Sequence, residues 1–415
     1  MKFSVFLLIF SDIVFNSLYI YDQKITAFRI ILFIVVIFHV PMILNRYLNL
    51  SSTTKKIIRW ALVLTIYKFN VDLFFHANNV IDPFNNFLKE FFVILLLPIL
   101  ELNRKVTSKF ILFSLLISSI IPVIFGFIQI EDSSFILPNI INFDFIGFSG
   151  GDGFTKNYLN VSSRVVGTYN IAIGFALLLG YLIIIALSFF IYYKNIIYLL
   201  FSIIFYILII FTQTRSAIYG IIPSLLLSYI LAANMKFMRI VFFSICTLFI
   251  LFSFSFVQSF ITQISDRSYI GMDVNTYAKI TSNIYGLYGS FVTNPIIGVA
   301  ESYHSEAVKI GRDSLGIIMQ DENNNSEVFV TFHNIFGYYF ICYGSVGFIL
   351  LINLIYKIII HVMSNQDEMC KFILLSLIMF FLQYALLHNN ELLLSSLIWI
   401  FISMNCAGFK KSGCK

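Results

Sequence analysis

Residues 196–216 read Ile-Ile-Tyr-Leu-Leu-Phe-Ser-Ile-Ile-Phe-Tyr-Ile-Leu-Ile-Ile-Phe-Thr-Gln-Thr-Arg-Ser. A nearly unbroken apolar run ends abruptly in Thr212-Gln213-Thr214-Arg215-Ser216, and a second apolar run starts at once. Two hydrophobic helices joined by a tight polar turn fit that pattern. An arginine dragged to the middle of a bilayer costs roughly 2.5–3.5 kcal/mol on insertion scales, so one at the lip of a membrane helix calls for an anionic partner or a water-filled cavity.

The rest of the chain extends the pattern. Of its 415 residues, 59% are hydrophobic and only 12% charged, with a mean hydropathy of +0.89. A soluble domain carries about twice that charge. Apolar stretches long enough to cross a bilayer recur from end to end. The alternating short segments of a transmembrane barrel are absent. The expected fold class is therefore all-α and polytopic. Twelve spans are predicted at about 3–20, 28–46, 57–76, 87–102, 109–129, 168–191, 196–212, 216–234, 239–258, 334–356, 371–387 and 392–408. The first is read as a membrane helix because no small-residue cleavage site follows it. Cys246, Cys342, Cys370, Cys406 and Cys414 are scattered and form no Cys-x-x-Cys.

Short loops set the orientation. Arg46, Lys55, Lys56, Arg59, Arg104, Lys105, Lys109, Lys194, Lys236, Arg239, Lys357, Lys371, Lys410, Lys411 and Lys415 all fall on one side when the spans alternate. Asp82, Glu131, Asp132, Asp144, Asp152 and Glu391 fall on the other. The positive-inside bias places both termini in the cytoplasm. The formal charge of +6 thus reports topology and does not point to nucleic acid. Residues 130–167 and 259–333 form the two longer external segments. The larger has four basic residues (Arg267, Lys279, Lys309, Arg312) and eight acidic ones (Asp266, Asp273, Glu301, Glu306, Asp313, Asp321, Glu322, Glu327). Within it, 277–291 has helical spacing, and Asn294-Pro295 reads as the turn that ends that helix.

The polar residues that could carry chemistry lie at span ends on the external side. Arg164 enters the sixth span, Arg215 opens the eighth, and Arg267 opens the large loop. Three guanidinium forks at one depth could clamp a phosphate or pyrophosphate; otherwise each is an unrelated positioning charge. His333 ends the large loop, a position where an amphipathic ring also sits comfortably among headgroups. The small residues of Tyr343-Gly344-Ser345-Val346-Gly347 further on suit close helix packing. Lys68 and Asp72 are four apart and share one face of the third span, which suits structural glue better than a relay. Lys89, beside Glu90, reaches a lipid phosphate or simply snorkels to the interface. His76, His304 and His388 lack metal-ligand spacing. No metal-nucleotide motif or phosphate-binding Gly-rich loop appears, so no metal or other cofactor is expected.

The Thr-Gln-Thr-Arg-Ser turn, the segment Asn294-Pro295-Ile296-Ile297-Gly298-Val299, and His333-Asn334 before a Gly-rich helix together resemble the O-antigen ligase/polymerase superfamily. The resemblance covers roughly 160–350; the first five spans match it only in hydropathy. It implies a bacterial inner-membrane glycosyltransferase with about twelve helices and a large periplasmic loop between the ninth and tenth. Its substrate would be an undecaprenyl-pyrophosphate-linked oligosaccharide, with membrane lipids and a chain-length regulator protein as further partners. Arg215 and Arg267 would bind the donor pyrophosphate, with Arg164 in the same cavity. His333 would orient or deprotonate the acceptor hydroxyl. Gln213, Asn334 and Lys89 would contact substrate. A sugar carrying a pyrophosphate is already activated, so positioning, charge stabilisation and acceptor proton transfer remain for the enzyme, and direct displacement inverts the anomeric centre. The loop departs from the family in being net acidic. Between polymerase and ligase the motifs do not decide. Polymerase is favoured by the Phe-, Ile-, Asn- and Lys-rich usage, which is typical of AT-rich polysaccharide loci. A flippase would spread charge through many helices, with repeat symmetry.

Overall fold

A computed structural model describes residues 2–15, 18–20, 25–75, 80–103, 107–132, 135, 148–150, 165–169, 172–212, 214–232, 285–314, 335–364, 367–387 and 392–404. Helices dominate, for the reason the composition gives: a backbone without water must satisfy its own N–H and C=O groups. In chain order they are α1 (Lys2–Val14), α2 (Ala27–Arg46), α3 (Ser52–Phe75), α4 (Ile81–Ile94), α5 (Leu96–Leu102), α6 (Ser108–Glu131), α7 (Ala172–Tyr193), α8 (Ile196–Phe211), α9 (Arg215–Ala232), α10 (285–293), α11 (His304–Ser314), α12 (Ile335–Met363), α13 (Glu368–Leu387) and α14 (Ser396–Ile402).

Among the described residues, six helical stretches are long and apolar enough to cross a bilayer: Phe28–Asn49, Ile81–Leu102, Phe110–Glu131, Ala172–Tyr193, Ile335–Met363 and Glu368–Ala385. Ile196–Phe211 and Ser216–Leu231 are apolar but shorter. The helices turn large apolar side chains outward, Phe38 at 78% exposure and Phe74 at 76%. Such surfaces suit lipid, where an exposed phenylalanine costs nothing. The chain is a helical membrane protein.

Three differences from the sequence expectations stand out. The first predicted span, 3–20, stops as a helix at Val14. At 1.5 Å per residue α1 is about 20 Å long, short of the roughly 30 Å hydrocarbon core. The β-prone Leu18-Tyr19-Ile20 instead pairs antiparallel with Ile25–Thr26 and with Phe148–Gly150, in a small sheet. The last predicted span, 392–408, begins with a 3-10 turn at Leu392–Leu394, followed by the seven-residue α14. Both elements are largely buried: Trp399, Phe401 and Tyr181 sit in the core, and Tyr181 meets the Phe380 and Phe401 rings edge-on at 5.8 and 5.2 Å. The predicted span 239–258 lies outside the described residues.

The third difference is in α12. The sequence reads Tyr343-Gly344-Ser345-Val346-Gly347 as a packing stripe, but Gly344 breaks the helix, with φ 63° and ψ −168°. The segment 295–300 is spliced into the gap. Val299 N–H donates to Ile341 O (3.1 Å) and Ala300 N–H to Cys342 O (2.8 Å). Ser345 N–H donates to Pro295 O (2.9 Å) and Val346 N–H to Ile296 O (3.3 Å). Backbone groups freed by the break are therefore paired by a segment from outside the helix, which is what irregular backbone at this depth requires. Helix α10 ends at Thr293 and a turn covers 295–297, as Asn294-Pro295 led one to expect. The close crossing of α10 with α11 rests on Gly289 and Gly311, each with the other helix's backbone where a Cβ would stand.

Contacts also sort the helix ends. Ser51 N–H donates to Glu101 Oε1 (2.8 Å) and His361 Nδ1 lies 3.0 Å from Thr53 Oγ1, so these residues share one end of the bundle. At the opposite end, Asp72 reaches Glu301 and Tyr343. Antiparallel packing of α7 on α13, with Tyr384 Oη donating to Ile173 O (2.7 Å), carries that second end across to the start of α7. Val165 N–H donates to Phe211 O (3.2 Å), which brings the end of α8 and the start of α9 to the same level.

Candidate functional site

The start of α9 is built by the polar turn itself. Thr212 and Thr214 are buried. Thr212 Oγ1 donates to Ile209 O (2.6 Å), and Thr214 N–H donates to Thr212 Oγ1 (3.3 Å). Thr214 O accepts from Ala217 and Ile218 N–H, so Thr214 caps α9 and Arg215 is its first residue. The hydroxyls do what a turn between two apolar helices needs: they replace lost backbone partners. The preceding strap is fixed by Gln129 on α6. Its Oε1 accepts from Val166 N–H (2.9 Å) and Gly167 N–H (2.8 Å), and its Nε2 donates to Gly167 O (2.8 Å). Gly167 has φ +59° and its Cβ position lies 2.8 Å from the Phe175 ring, so no larger residue fits.

The backbone of Arg215 therefore stands at the end of the bundle where Val165, next to Arg164 in sequence, is tied down. Ile335, next to Asn334, begins α12, whose break pairs with 295–300 and so lies toward that end too. The side chain of Arg215 and the residues Arg164, Gln213, Arg267, His333 and Asn334 lie outside what is described. Lys89 is described: its Nζ donates to Asn86 Oδ1 (3.2 Å), one turn back on α4.

A second constellation at this end was not legible as a unit in the sequence. Lys68 on α3 forms a buried ion pair with Glu90 on α4. Its ammonium also lies 5.2 Å and 5.1 Å from the ring centres of Tyr339 and Tyr343 on α12, a cation–π arrangement. Asp72, one turn beyond Lys68, accepts from Glu301 N–H at Oδ1 (3.2 Å) and from Tyr343 Oη at Oδ2 (3.3 Å). Asn86 Nδ2 donates to Glu301 Oε2 (3.4 Å). Tyr67 Oη donates to Tyr343 O (3.0 Å) and Ile297 O (3.3 Å), tying the near side of the break in α12 to the spliced segment. Lys68 and Asp72 are thus more than an i,i+4 pair: Glu90 is the buried partner that spacing along α3 alone did not reveal.

Lys68, Asp72, Asn86, Glu90 and Glu301 line a narrow cleft with Thr65, Phe69, Pro83, Phe87 and Leu394, about 340 Å³ when its open mouth and the adjoining solvent are counted. Lys68, Asp72 and Glu90 are 4%, 5% and 2% exposed, and Glu301 is half-buried. Charges at such depth in a membrane protein are costly and mark functional sites by default. Among the described residues no three His, Cys, Asp or Glu side chains converge in a metal-binding geometry. Chemically the cleft offers carboxylate acceptors, one ammonium, one amide and two aromatic faces. Compared with known proteins, the chain matches no family model and no curated protein.

Proposed function

We propose that this chain is an O-antigen polymerase. It joins undecaprenyl-pyrophosphate-linked repeat units at the periplasmic face of the bacterial inner membrane and releases undecaprenyl pyrophosphate. In this reading the chain has twelve spans, both termini in the cytoplasm and the large loop between spans nine and ten in the periplasm. The observation that supports it best is the splice at Gly344. It ties the Pro295–Ala300 segment of the large loop into α12, at the end of the bundle where Arg215 opens α9. The Pro295–Ala300 segment and the Gly-rich helix that follows His333-Asn334 in sequence thereby form one structural unit, which supports the reading, and the Thr-Gln-Thr-Arg-Ser turn ends at the same level. A fixed, asymmetric site of this kind suits catalysis on a lipid-linked substrate better than alternating access, which works through paired repeats.

Arg215 and Arg267, with Arg164, neutralise the donor pyrophosphate as it departs. His333 and Asn334 serve the acceptor end, and Gln213 and Lys89 add donors for substrate oxygens. No nucleotide is consumed, because the sugar–pyrophosphate bond already carries the needed free energy.

A deletion strain decides the reading. Loss of this chain is expected to leave core lipid bearing a single repeat unit, with long-chain glycan restored by the wild-type gene. Core alone, with lipid-linked polymer accumulating, identifies a ligase instead, and unchanged banding removes both. In the same strain Arg215→Ala is expected to insert normally yet restore less than about 1% of long-chain glycan, since loss of a transition-state charge contact costs roughly 10²–10³-fold. Normal chain lengths in that variant would take Arg215 out of the mechanism.

A further inference from the structure

We propose that α10 is seated in the lipid leaflet at the Arg215 end of the bundle, its outward face against acyl chains, while α11 faces water. The inference needs only the helical membrane fold and stands apart from the glycosyl-transfer reading.

Depth comes from the splice. Four backbone hydrogen bonds pin residues 295–300 beside 341–346. From Gly344, α12 runs on to Lys357 and then His361, whose contact with Thr53 marks the opposite end of the bundle. Those two polar side chains lie about 20 Å and about 26 Å from the break along the helix axis. The hydrocarbon core is roughly 30 Å thick. Whichever of the two marks the opposite interface, the break falls inside the core boundary on the Arg215 side, and any tilt of α12 takes it deeper. Helix α10 ends at Thr293, just before the pinned segment, so it lies at or near that boundary.

The side chains agree with the depth. Leu287, Tyr288, Phe291 and Val292 form one face of α10 and are 39%, 40%, 66% and 52% exposed. The other face holds Tyr285, Gly289 and Ser290, which are buried. Beyond the turn, Ile296 and Ile297 are also exposed, and Ile296 O accepts from Val346 N–H. Val346 heads the exposed row Ile349, Ile352 and Tyr356 of α12. The apolar face of α10 is thus continuous with the surface that α12 gives to lipid. Helix α11, locked to α10 through Gly289 and Gly311, has the opposite character. Among its described side chains the exposed ones are Glu306, Lys309, Asp313 and Ser314. The pair therefore sorts lipid from water across its own thickness, as a helix lying in the interface does.

Other occupants fit the face less well. Helices that pair within a bilayer present small residues to each other. Helix α10 has spent Gly289 on α11 and turns large side chains outward. That outward face carries no charge with which to orient a soluble partner, whereas the ring and hydroxyl of Tyr288 suit the headgroup level.

The test reconstitutes full-length Phe291→Trp and Lys309→Trp in phosphatidylcholine vesicles and subtracts the emission of the wild type, whose tryptophans are Trp60 and Trp399. Lipids brominated on the acyl chain quench from within the bilayer, and iodide, supplied on both sides of the vesicle, quenches from water. Phe291→Trp emission is expected to fall by roughly half in brominated lipid and to ignore iodide, as suits a face buried about 5–10 Å below the headgroups. Bromines near the carbonyl end of the chain should quench it more than bromines near the methyl end. Lys309→Trp is expected to show the reverse, quenched by iodide alone. Iodide quenching of Phe291→Trp without bromolipid quenching puts α10 in water and overturns the proposal. Protection from both quenchers means that protein, including a second copy of this chain, covers the face, and overturns it too. Equal bromolipid quenching at both positions overturns the sorting of the two helices. If Phe291→Trp fails to insert, Tyr288→Trp on the same face is read by the same criteria.

Discussion

Lys68→Met is expected to destabilise the protein by about 3–5 kcal/mol, read as a lower melting temperature in detergent. The cause is the partner left behind. Glu90 is 2% exposed and bound to the Lys68 ammonium. With that ammonium gone, its carboxylate is an uncompensated charge in a low-dielectric interior. The double variant Lys68→Met/Glu90→Leu removes both charges and should recover most of the loss, because a buried ion pair replaced by apolar groups of similar volume is often neutral or better. Activity should not recover, since charges buried this deeply in a membrane protein mark functional sites. If Lys68→Met melts like the wild type, or if the double variant is as unstable as the single, the pair does not support the fold in this way.

Gly298→Ala should be as damaging, through the backbone alone. Gly298 has φ +86°, and a Cβ there would lie 2.4 Å from the carbonyl carbon and oxygen of Cys342. Gly344 is its counterpart, with φ +63° and Ile296 O 2.2 Å from its Cβ position. A left-handed conformation costs an alanine roughly 1–2 kcal/mol. The clash also pushes apart the two segments joined by four backbone hydrogen bonds, each worth about 0.5–1.5 kcal/mol. Together the loss is on the order of 4 kcal/mol. Gly220→Ala is the matched control: its Cβ would meet no backbone, only the Gln383 amide and the Phe380 ring edge, each at 3.3 Å, and a shift of a few tenths of an ångström relieves both. Proteolysis of detergent-solubilised protein should cut Gly298→Ala near the splice and spare Gly220→Ala. Equal resistance in both would mean the splice does not hold.

Because the splice carries Tyr343 toward Asp72, it couples the large loop to the cleft. Tyr67 reads both halves at once through Tyr343 O and Ile297 O. A variant that opens the splice therefore should lose activity before it loses its membrane helices, whose hydrogen bonds are internal.

Much of the architecture follows from local pattern. Apolar run length placed α2, α6, α7 and α13 close to their observed bounds, since a helix in lipid needs only its own backbone partners and an apolar surface. The tight turn at Thr212–Ser216 was legible for the same reason: its hydroxyls bond within a few residues of themselves. Asn294-Pro295 marked the end of α10 because proline cannot continue a hydrogen-bonded helix.

What tertiary structure alone decided lies where partners are far apart in sequence. Lys68 and Asp72 were visible as an i,i+4 pair, but hydropathy carries no record that Glu90 and Glu301 converge on them. Tyr343-Gly344-Ser345-Val346-Gly347 read as small residues for packing, yet the helix breaks there because the carbonyls of Ile341 and Cys342 find N–H donors on Val299 and Ala300, more than forty residues earlier. A glycine in a helix is ambiguous until its neighbour in space is known, since close packing and a break both require the missing side chain. Run length and composition are enough to specify a helical membrane protein with a polar turn at Arg215. The tertiary fold decided that a buried charged cleft and a spliced helix stand at the same end as that turn. Hydrogen bonds within a helix are set by nearest neighbours along the chain; those across the splice and the cleft are set by the packing of α3, α4 and α12.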